Sequence, residues 1–229
     1  MKKVAVFDID GTIFRSSLLI ELVNILIEKE IFPEQSRADF ENEHKKWLER
    51  KGDYESYIGV VVEVFMKNIK GVRYDQFMLC SDILFSRQSN HLYRYTRDLV
   101  KKLKKQNYYL LAISQSPKAV LEKFCRKMGF DKVYGRVYEI GPTDRFTGAV
   151  TDVHLISNKA AILRRAIQKE GLTLKGSIAV GDTEDDIAML EEVNRPICFN
   201  PNNILYRHAK RRNWTVVVER KDVIYTINK

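Results

Sequence analysis

The stretch KKVAVFDIDGTIFRSS, residues 2–17, sets an apolar run directly before two carboxylates. Residues 4–7 are a compact apolar run of the kind that forms a buried strand. Asp8 and Asp10 follow at once, with a single residue between them. Charged side chains are rarely buried unless they are paired or bind a ligand. Two like charges at the end of a buried strand therefore predict a bound cation.

The 229 residues, 45% of them hydrophobic, suffice for one large domain or for one domain that carries a smaller insert. The net charge of +9 favours anionic partners such as phosphorylated metabolites, nucleic acid or acidic membrane. Segments such as KKLKKQN (101–107) and AKRRN (209–213) carry part of this charge and are typical of helix ends, where basic residues suit the helix dipole. The charge by itself therefore selects no partner.

The cysteines and histidines restrict the compartment and the kind of metal. Three scattered cysteines without a CxxC pair indicate reduced thiols in a cytoplasmic protein and no zinc site. Four dispersed histidines argue against a histidine-rich metal centre. The first apolar run does not fit a signal peptide, and the longer runs are too short to cross a bilayer. We therefore expect a cytoplasmic monomer or homodimer that makes no membrane contact.

The pattern of apolar residues changes once along the chain. About 75 residues after the first strand show helical spacing without a convincing strand, which indicates a helical insert. After His91, strands alternate with helices, which is typical of a parallel sheet covered on both faces. The predicted helices are 16–31, 34–51, 54–70, 74–87, 92–106, 117–128, 157–170, 184–193 and 201–212. The predicted strands are 3–8, 108–114, 136–140, 146–150, 177–180, 196–199 and 214–218.

Residues able to do chemistry collect where predicted strands end. Four of them follow an apolar run: Asp8, Asp10, Ser114 and Asp182. Asp185 and Asp186 come shortly afterwards and add further negative charge. Ligands of such sheets bind outside the carboxyl ends of the strands. Oxygen ligands without a nearby histidine or cysteine favour Mg²⁺.

Phosphoryl transfer fits these residues, because it needs an in-line nucleophile, positive charge at the phosphate and a proton donor for the leaving group. We expect Asp8 to attack phosphorus and form an aspartyl phosphate. Asp10 would protonate the leaving alkoxide and later activate water. Gly11 permits a tight turn whose amides face the phosphate. Ser114 would donate a hydrogen bond to the phosphate, and Lys159 would supply positive charge.

Each of these residues also has a plainer interpretation. The Asp-Gly dipeptide at 10–11 is common in turns, and Ser114 before a helix is typical of a cap. Lys159 near a helix start resembles a solvated surface lysine, and the acids at 185–186 suit the first turn of a helix. The common order of these residues at strand ends favours the catalytic interpretation.

Four short motifs occur in one order: DIDGT (8–12), LLAIS (110–114), the lysine of ISNKAAIL (156–163) and GDTEDD (181–186). On these motifs the chain resembles the haloacid dehalogenase superfamily of phosphatases, in the phosphoserine phosphatase-like branch with a helical first cap. The pair EIG (139–141) and FTG (146–148) resembles this branch too. The resemblance covers the core from end to end, and the cap only by position and helicity.

The resemblance implies an α/β fold with a Rossmann-like parallel-sheet core at 1–14 and 92–229 and an inserted α-helical cap at 15–91. It implies a Mg²⁺-dependent phosphomonoesterase that hydrolyses a small phosphorylated metabolite, with Asp8 as nucleophile and Asp10 as acid and base. The implied metal ligands are Asp8, the Asp10 carbonyl and Asp182, supported by Asp185 or Asp186. The implied substrate-binding residues are Gly11, Thr12, Ser114, Gln115 and Lys159.

Three departures from the branch concern the substrate. Ser17 lies at about the place of a glutamate that reads the ammonium of phosphoserine, and Gln115-Ser116-Pro117 replace two glycines after the second motif. In that branch an arginine of the cap holds the carboxylate of serine, and no arginine of this chain can be assigned to that role. We therefore expect a small phosphomonoester other than phosphoserine.

Two other functions stay open, together with the role of the tail. A phosphotransferase or mutase would use the same Asp8 chemistry. An anion- or nucleic-acid-binding protein would keep the fold without the reaction, although the basic segments lack the interleaved aromatic residues typical of a single-strand binding platform. The tail at 219–229 fits either an edge strand or a subunit contact.

Overall fold

A computed structural model describes residues 1–151 and 158–227, which form two compact units. The first unit comprises Met1–Arg15, His91–Arg136 and the described part of Asp152–Lys229. The second comprises Ser16–Asn90 and Val137–Thr151. This division differs from the expected one at Val137–Thr151, which the sequence analysis places with the core.

The first unit is built on a mainly parallel sheet, with strand order β3-β2-β1-β5-β6-β7-β8. Its strands are β1 (Lys3–Phe7), β2 (Tyr109–Pro117), β3 (Lys132–Ile140, which continues into the second unit), β5 (Thr173–Gly181), β6 (Arg195–Phe199), β7 (Thr215–Arg220) and β8 (Val223–Ile227). Its helices are α5 (Arg94–Lys105), α6 (Lys118–Met128), α7 (Lys159–Glu170), α8 (Ile187–Glu191) and α9 (Asn203–Arg212). The predicted α/β class with a parallel sheet is confirmed. The tail supplies β8, which pairs antiparallel with β7.

β1 lies between β2 and β5 and is apolar after the exposed Lys3, because neighbouring elements cover the rest of the strand. Val4, Ala5, Val6 and Phe7 are all 0% exposed. A cluster of buried residues from the surrounding elements packs against this strand, among them Leu111, Ile113, Leu163 and Ala179. The residue that follows β1 is therefore held at the centre of the sheet's carboxyl edge.

The second unit consists of helices and a β-hairpin. Its elements are α1 (Leu18–Glu28), α2 (Gln35–Leu48), α3 (Tyr54–Ile69), α4 (Tyr74–Gln88), the end of β3 and β4 (Phe146–Thr151). β4 pairs antiparallel with β3. The ring of Tyr138 in this hairpin lies 5.1 Å from that of Phe65 in α3. The aromatic residues of these helices thus pack within the unit, which is the usual role of an aromatic stripe at helical spacing.

The observed helices have ends shifted by up to three residues from the predicted ones, except in the region 184–193. The helix expected at 157–170 begins at Lys159, and position 157 lies outside the described residues. The helix expected at 184–193 is a 3₁₀ turn at Glu184–Asp186 followed by the short α8. The side chain of Asp186 bonds back to the amide of Thr183 and forms a capping box, which draws the first turn tight. Among the described residues, none of the helices combines the length and the apolar character that crossing a membrane requires.

Candidate active site

Asp8 extends β1 at the carboxyl edge of the sheet. Its amide donates to the carbonyl of Val180 in β5 at 2.9 Å, so its backbone continues the strand pairing. The side chain is only 5% exposed, and its Oδ1 lies 2.7 Å from Nζ of Lys159. The carboxylate is therefore buried and held in a defined orientation.

Lys159 is the first residue of α7 and is buried, although a lysine at a helix start is usually solvated. Its side chain is 6% exposed and pairs with two carboxylates, Asp8 at 2.7 Å and Asp186 at 2.6 Å. Burial alone would lower the pKa of Lys159, but the two carboxylates raise it above its ordinary value. The ammonium is therefore charged and bridges two distant segments of the chain.

The GDTEDD loop after β5 is organised by Asp186. Its Oδ2 accepts hydrogen bonds from the amides of Asp182 at 2.9 Å and of Thr183 at 3.2 Å, while its Oδ1 contacts Lys159. A side chain at Gly181 would collide with the Asp186 carboxyl group. The Asp186 side chain thus ties the loop together next to Asp182.

Thr12 and Gly11 bring the loop after β1 against Asp182. The Thr12 hydroxyl is buried and donates to Asp182 Oδ1 at 2.8 Å. Gly11 has a φ of +75°, and a Cβ there would collide with the Asp182 carboxylate. Its amide donates to the carbonyl of Phe14 at 3.0 Å, so glycine here serves the turn and the close approach. Both residues therefore shape the surroundings of Asp182.

Ser114 lies inside β2 and contacts Asp10. Its hydroxyl donates to Asp10 Oδ2 at 2.5 Å and accepts from the amide of Ser116 at 2.9 Å. The serine is 1% exposed, and α6 begins four residues later at Lys118. Its hydroxyl therefore orients Asp10 and does not cap the helix.

Three carboxylates converge at this edge of the sheet: ligand oxygens of Asp8, Asp182 and Asp186 all lie within 4.8 Å of one another. Burial raises the pKa of Asp8 to about 8 against the opposing effect of Lys159. Burial and the neighbouring Asp8 and Asp186 raise the pKa of Asp182 as well. Among the described residues these three acids share one ammonium, that of Lys159, and so their simultaneous ionisation is disfavoured. A hard divalent cation such as Mg²⁺ would favour the ionised form of such an oxygen donor set.

Gln115 and Asp185 lie beside this cluster and are joined to a residue that the sequence analysis missed. The Gln115 Oε1 accepts from Arg136 Nη2 at 2.5 Å, and its Nε2 donates to Asp185 Oδ2 at 3.0 Å. Of the two acids expected to support the site, Asp186 contacts Lys159, whereas Asp185 contacts Gln115. The sequence feature that could have pointed to Arg136 is its position as a basic residue at the start of the predicted strand 136–140.

Comparison with known proteins gives a family match. The family described as haloacid dehalogenase-like hydrolase matches residues 5–191. A phosphoserine phosphatase of Archaeoglobus fulgidus is 27% identical over 207 residues, which are 89% of this chain and 54% of that protein. A histidinol-phosphatase of Neisseria meningitidis serogroup C is 24% identical over 226 residues, which are 95% of this chain and 99% of that protein. The chain thus spans about half the length of the first relative and nearly all of the second.

A solved structure, a phospho-aspartyl intermediate analogue of phosphoserine phosphatase, shares the fold. The TM-score is 0.64 at 21% identity, over 96% of this chain and 95% of that chain. At this identity the likeness concerns the fold alone.

Proposed function

The chain belongs to the haloacid dehalogenase-like hydrolase family, and we propose that it is a Mg²⁺-dependent phosphomonoesterase acting on a small phosphorylated metabolite. The reaction proceeds through an aspartyl phosphate on Asp8. One observation carries the proposal: Asp8 is paired with Lys159 at 2.7 Å inside a buried cluster of carboxylates at the centre of the sheet edge. Phosphoryl transfer requires such a combination of nucleophile and charge.

Asp8 is the nucleophile in this proposal. Its carboxylate oxygen forms the new bond to phosphorus while the bond from phosphorus to the leaving oxygen breaks. Lys159 holds the carboxylate in place and offers positive charge to the phosphate oxygens. The ion pair is already formed without substrate, so little reorganisation is needed at the moment of reaction.

Asp10 is the acid and base. The Ser114 hydroxyl orients its carboxyl group. Asp10 gives a proton to the leaving oxygen and then takes one from the water that hydrolyses the aspartyl phosphate. A hydroxyl has a single proton, so Ser114 can donate to the phosphate only after it releases Asp10.

Asp8, Asp182 and the main-chain carbonyl of Asp10 would hold Mg²⁺, which when bound neutralises charge on the phosphate oxygens. The Thr12 hydroxyl orients Asp182 by donating a hydrogen bond to its carboxylate. Asp186 already accepts hydrogen bonds from Lys159 and from two amides, and so we assign it to support of the loop.

The substrate class is a small phosphomonoester. Both relatives are named for phosphatases of such esters, and the histidinol-phosphatase matches along nearly its whole length. Phosphoserine is disfavoured, because Ser17 caps α1 by accepting from the amide of Leu19 at 3.2 Å and offers no carboxylate for an ammonium. Cys80, Cys125 and Cys198 are free and buried, which supports a reducing cytoplasmic location.

The test is a panel of phosphate esters with and without Mg²⁺, containing p-nitrophenyl phosphate, phosphoserine and histidinol phosphate. Asp8→Asn keeps the shape of the side chain but removes the nucleophile, and so turnover should fall by about a thousandfold or more. Asp98→Asn, an exposed acid of α5, removes the same charge and should keep the wild-type rate. Undiminished turnover by the Asp8 variant would rule out the assigned nucleophile.

Two further measurements separate the alternatives. Acid quenching during turnover should trap phosphate on the wild-type protein and none on Asp8→Asn. Added sugars and alcohols should leave the release of inorganic phosphate unchanged, whereas acceptor-dependent transfer would show a phosphotransferase. Retained binding of RNA at physiological salt, without any hydrolysis, would favour the non-catalytic alternative.

A further inference from the structure

A hydrogen-bonded chain of three side chains lies beside the candidate site within the first unit. Arg136 donates to Gln115, and Gln115 donates to Asp185. β1 lies between β2, which carries Gln115, and β5, which leads to Asp185. The hydrogen bond from Gln115 to Asp185 therefore spans the end of β1, the strand that leads to Asp8. Gln115 and Asp185 therefore border the end of the strand that leads to Asp8, and Arg136 adjoins them through Gln115.

Gly135 helps to place Arg136 next to Gln115. A Cβ at Gly135 would lie 2.9 Å from both the Ser116 carbonyl oxygen and the Cα of Lys118. Only a residue without a side chain allows β3 to approach β2 this closely. The following residue, Arg136, is thereby held opposite the segment that begins at Ser114.

The positive charge of Arg136 has no protein counter-ion within residues 1–151 and 158–227. The side chain is half-buried, and its Nε is buried without a hydrogen-bond acceptor. A guanidinium has five N–H donors, and in the described parts of the chain only one of them, on Nη2, donates to a protein acceptor. A partly desolvated cation without an anion is costly, and its spare donors suit an anionic ligand.

Other arginines of the chain show the contrast. Arg87 pairs with Glu28 at 2.5 Å, and Arg97 pairs with Asp98 at 2.8 Å. Both of these pairs are exposed to solvent, where a counter-ion is needed least. Arg136 is more buried and yet is bonded to a neutral amide.

We propose that Arg136 is a specificity-determining residue that binds a second anionic group, a carboxylate or a second phosphate, on the leaving group of the substrate. This inference rests on the proposed function and deepens it, since the ester phosphate lies at Asp8 while the second anion lies at Arg136. The planar guanidinium offers two parallel N–H donors to either kind of anion. Gln115, tethered to Asp185, keeps the guanidinium facing the site.

The test measures equilibrium binding by calorimetry in the presence of Mg²⁺ with three unreactive phosphonates on one carbon frame. Propylphosphonate has no second anionic group, 3-phosphonopropionate has a carboxylate in place of the terminal methyl group, and propane-1,3-diphosphonate carries a second phosphonate on that carbon. The wild-type protein should bind at least one of the two probes with a second anionic group about 10- to 100-fold more tightly than propylphosphonate. The stronger of the two identifies the anion.

Arg136→Gln should reduce this affinity ratio to within about threefold of one, and Arg136→Lys should retain part of it. Lys132→Gln removes the same charge from the same strand, four residues away, and should keep the wild-type ratio. Thermal melting confirms that each variant is folded. A wild-type ratio near one, or an undiminished ratio in folded Arg136→Gln, would overturn the assignment.

The same proteins are assayed for hydrolysis of the corresponding phosphate esters. An Arg136-dependent preference in binding without any hydrolysis would refute the proposed function and leave the Arg136 assignment intact. Hydrolysis without any preference between the probes would refute the Arg136 assignment alone.

Discussion

Lys159 and Asp8 are 151 positions apart in the sequence, yet Nζ of the one lies 2.7 Å from Oδ1 of the other. Both side chains are almost fully buried, and Lys159 also contacts Asp186. The ion pair therefore joins the start of α7, the end of β1 and the loop after β5. The arrangement of the site and the stability of the first unit depend on the same three side chains.

Removing the ammonium should be strongly destabilising. Lys159→Met leaves two buried carboxylates without their partner, which should lower the free energy of unfolding by about 3–5 kcal/mol and abolish turnover. Lys169→Met, an exposed change on the same helix, should stay within about 0.5 kcal/mol of wild type. Urea denaturation followed by circular dichroism measures both, and equal effects of the two changes would contradict the structural role of the ion pair.

Thr12→Val keeps the shape of the side chain but removes the hydrogen bond to Asp182. Because the bond orients a proposed Mg²⁺ ligand, the affinity for Mg²⁺ should fall by about tenfold or more. Thr226→Val on the exposed strand β8 makes the same chemical change and should leave the affinity unaltered. Calorimetric titration with MgCl₂ compares them; an unchanged affinity in Thr12→Val would mean that Asp182 does not depend on this bond for metal binding.

Gly11→Ala and Gly171→Ala separate backbone strain from steric collision. Both glycines have positive φ, +75° and +61°, so each substitution should cost about 1 kcal/mol from the left-handed conformation. A Cβ at Gly171 meets no atom within 4 Å, whereas one at Gly11 collides with Asp182. Gly11→Ala should therefore be the more destabilising and should lose Mg²⁺ binding, while Gly171→Ala should retain it. Similar Mg²⁺ affinity of the two variants would contradict the close approach at Asp182.

Stability should fall in alkaline solution because of buried thiols. Burial raises the pKa of Cys80 to about 11 and of Cys198 to about 12, from 9.0 in the unfolded chain. Above pH 9 the thiols of the unfolded state lose their protons before those of the folded state do. The contribution of the buried thiols to the free energy of unfolding is therefore complete below pH 9 and is lost as the pH rises towards 11–12. Urea denaturation at pH 8, 9 and 10 measures the decline. Cys198→Ala should show a shallower decline, and an identical slope would exclude the thiol as a source.

Several elements of the fold could be predicted because local pattern decides them. The apolar run before Asp8 fills the centre of a parallel sheet, and a strand buried on both faces must be apolar throughout. The carboxyl ends of parallel strands share one edge, so the positions of Asp8, Ser114 and Asp182 at strand ends were enough to expect them together. In the structure Asp8 and Asp182 lie in one carboxylate cluster, while Ser114 lies inside β2 and contacts Asp10.

Contacts between distant side chains could not be predicted in this way. The hairpin at Val137–Thr151 was expected with the core but packs with the helices of the second unit, because strand spacing specifies a partner strand and not the layer that covers it. Either Asp185 or Asp186 was expected to support the site, and in the structure it is Asp186 that contacts Lys159. The 3₁₀ turn decides which of the two acids points inward, and the sequence does not show this turn.

The sequence by itself determined the alternation of strands and helices, the edge of the sheet that carries the acids, and the chemical types of the residues there. Only the tertiary structure decided that Lys159 is buried between two carboxylates and that Arg136 stands beside Gln115 with no counter-ion among the described residues. The reason is physical: periodicity and strand ends are local properties of the chain. The charge balance of a buried site depends on which distant segments pack together, and no short stretch of sequence encodes it alone.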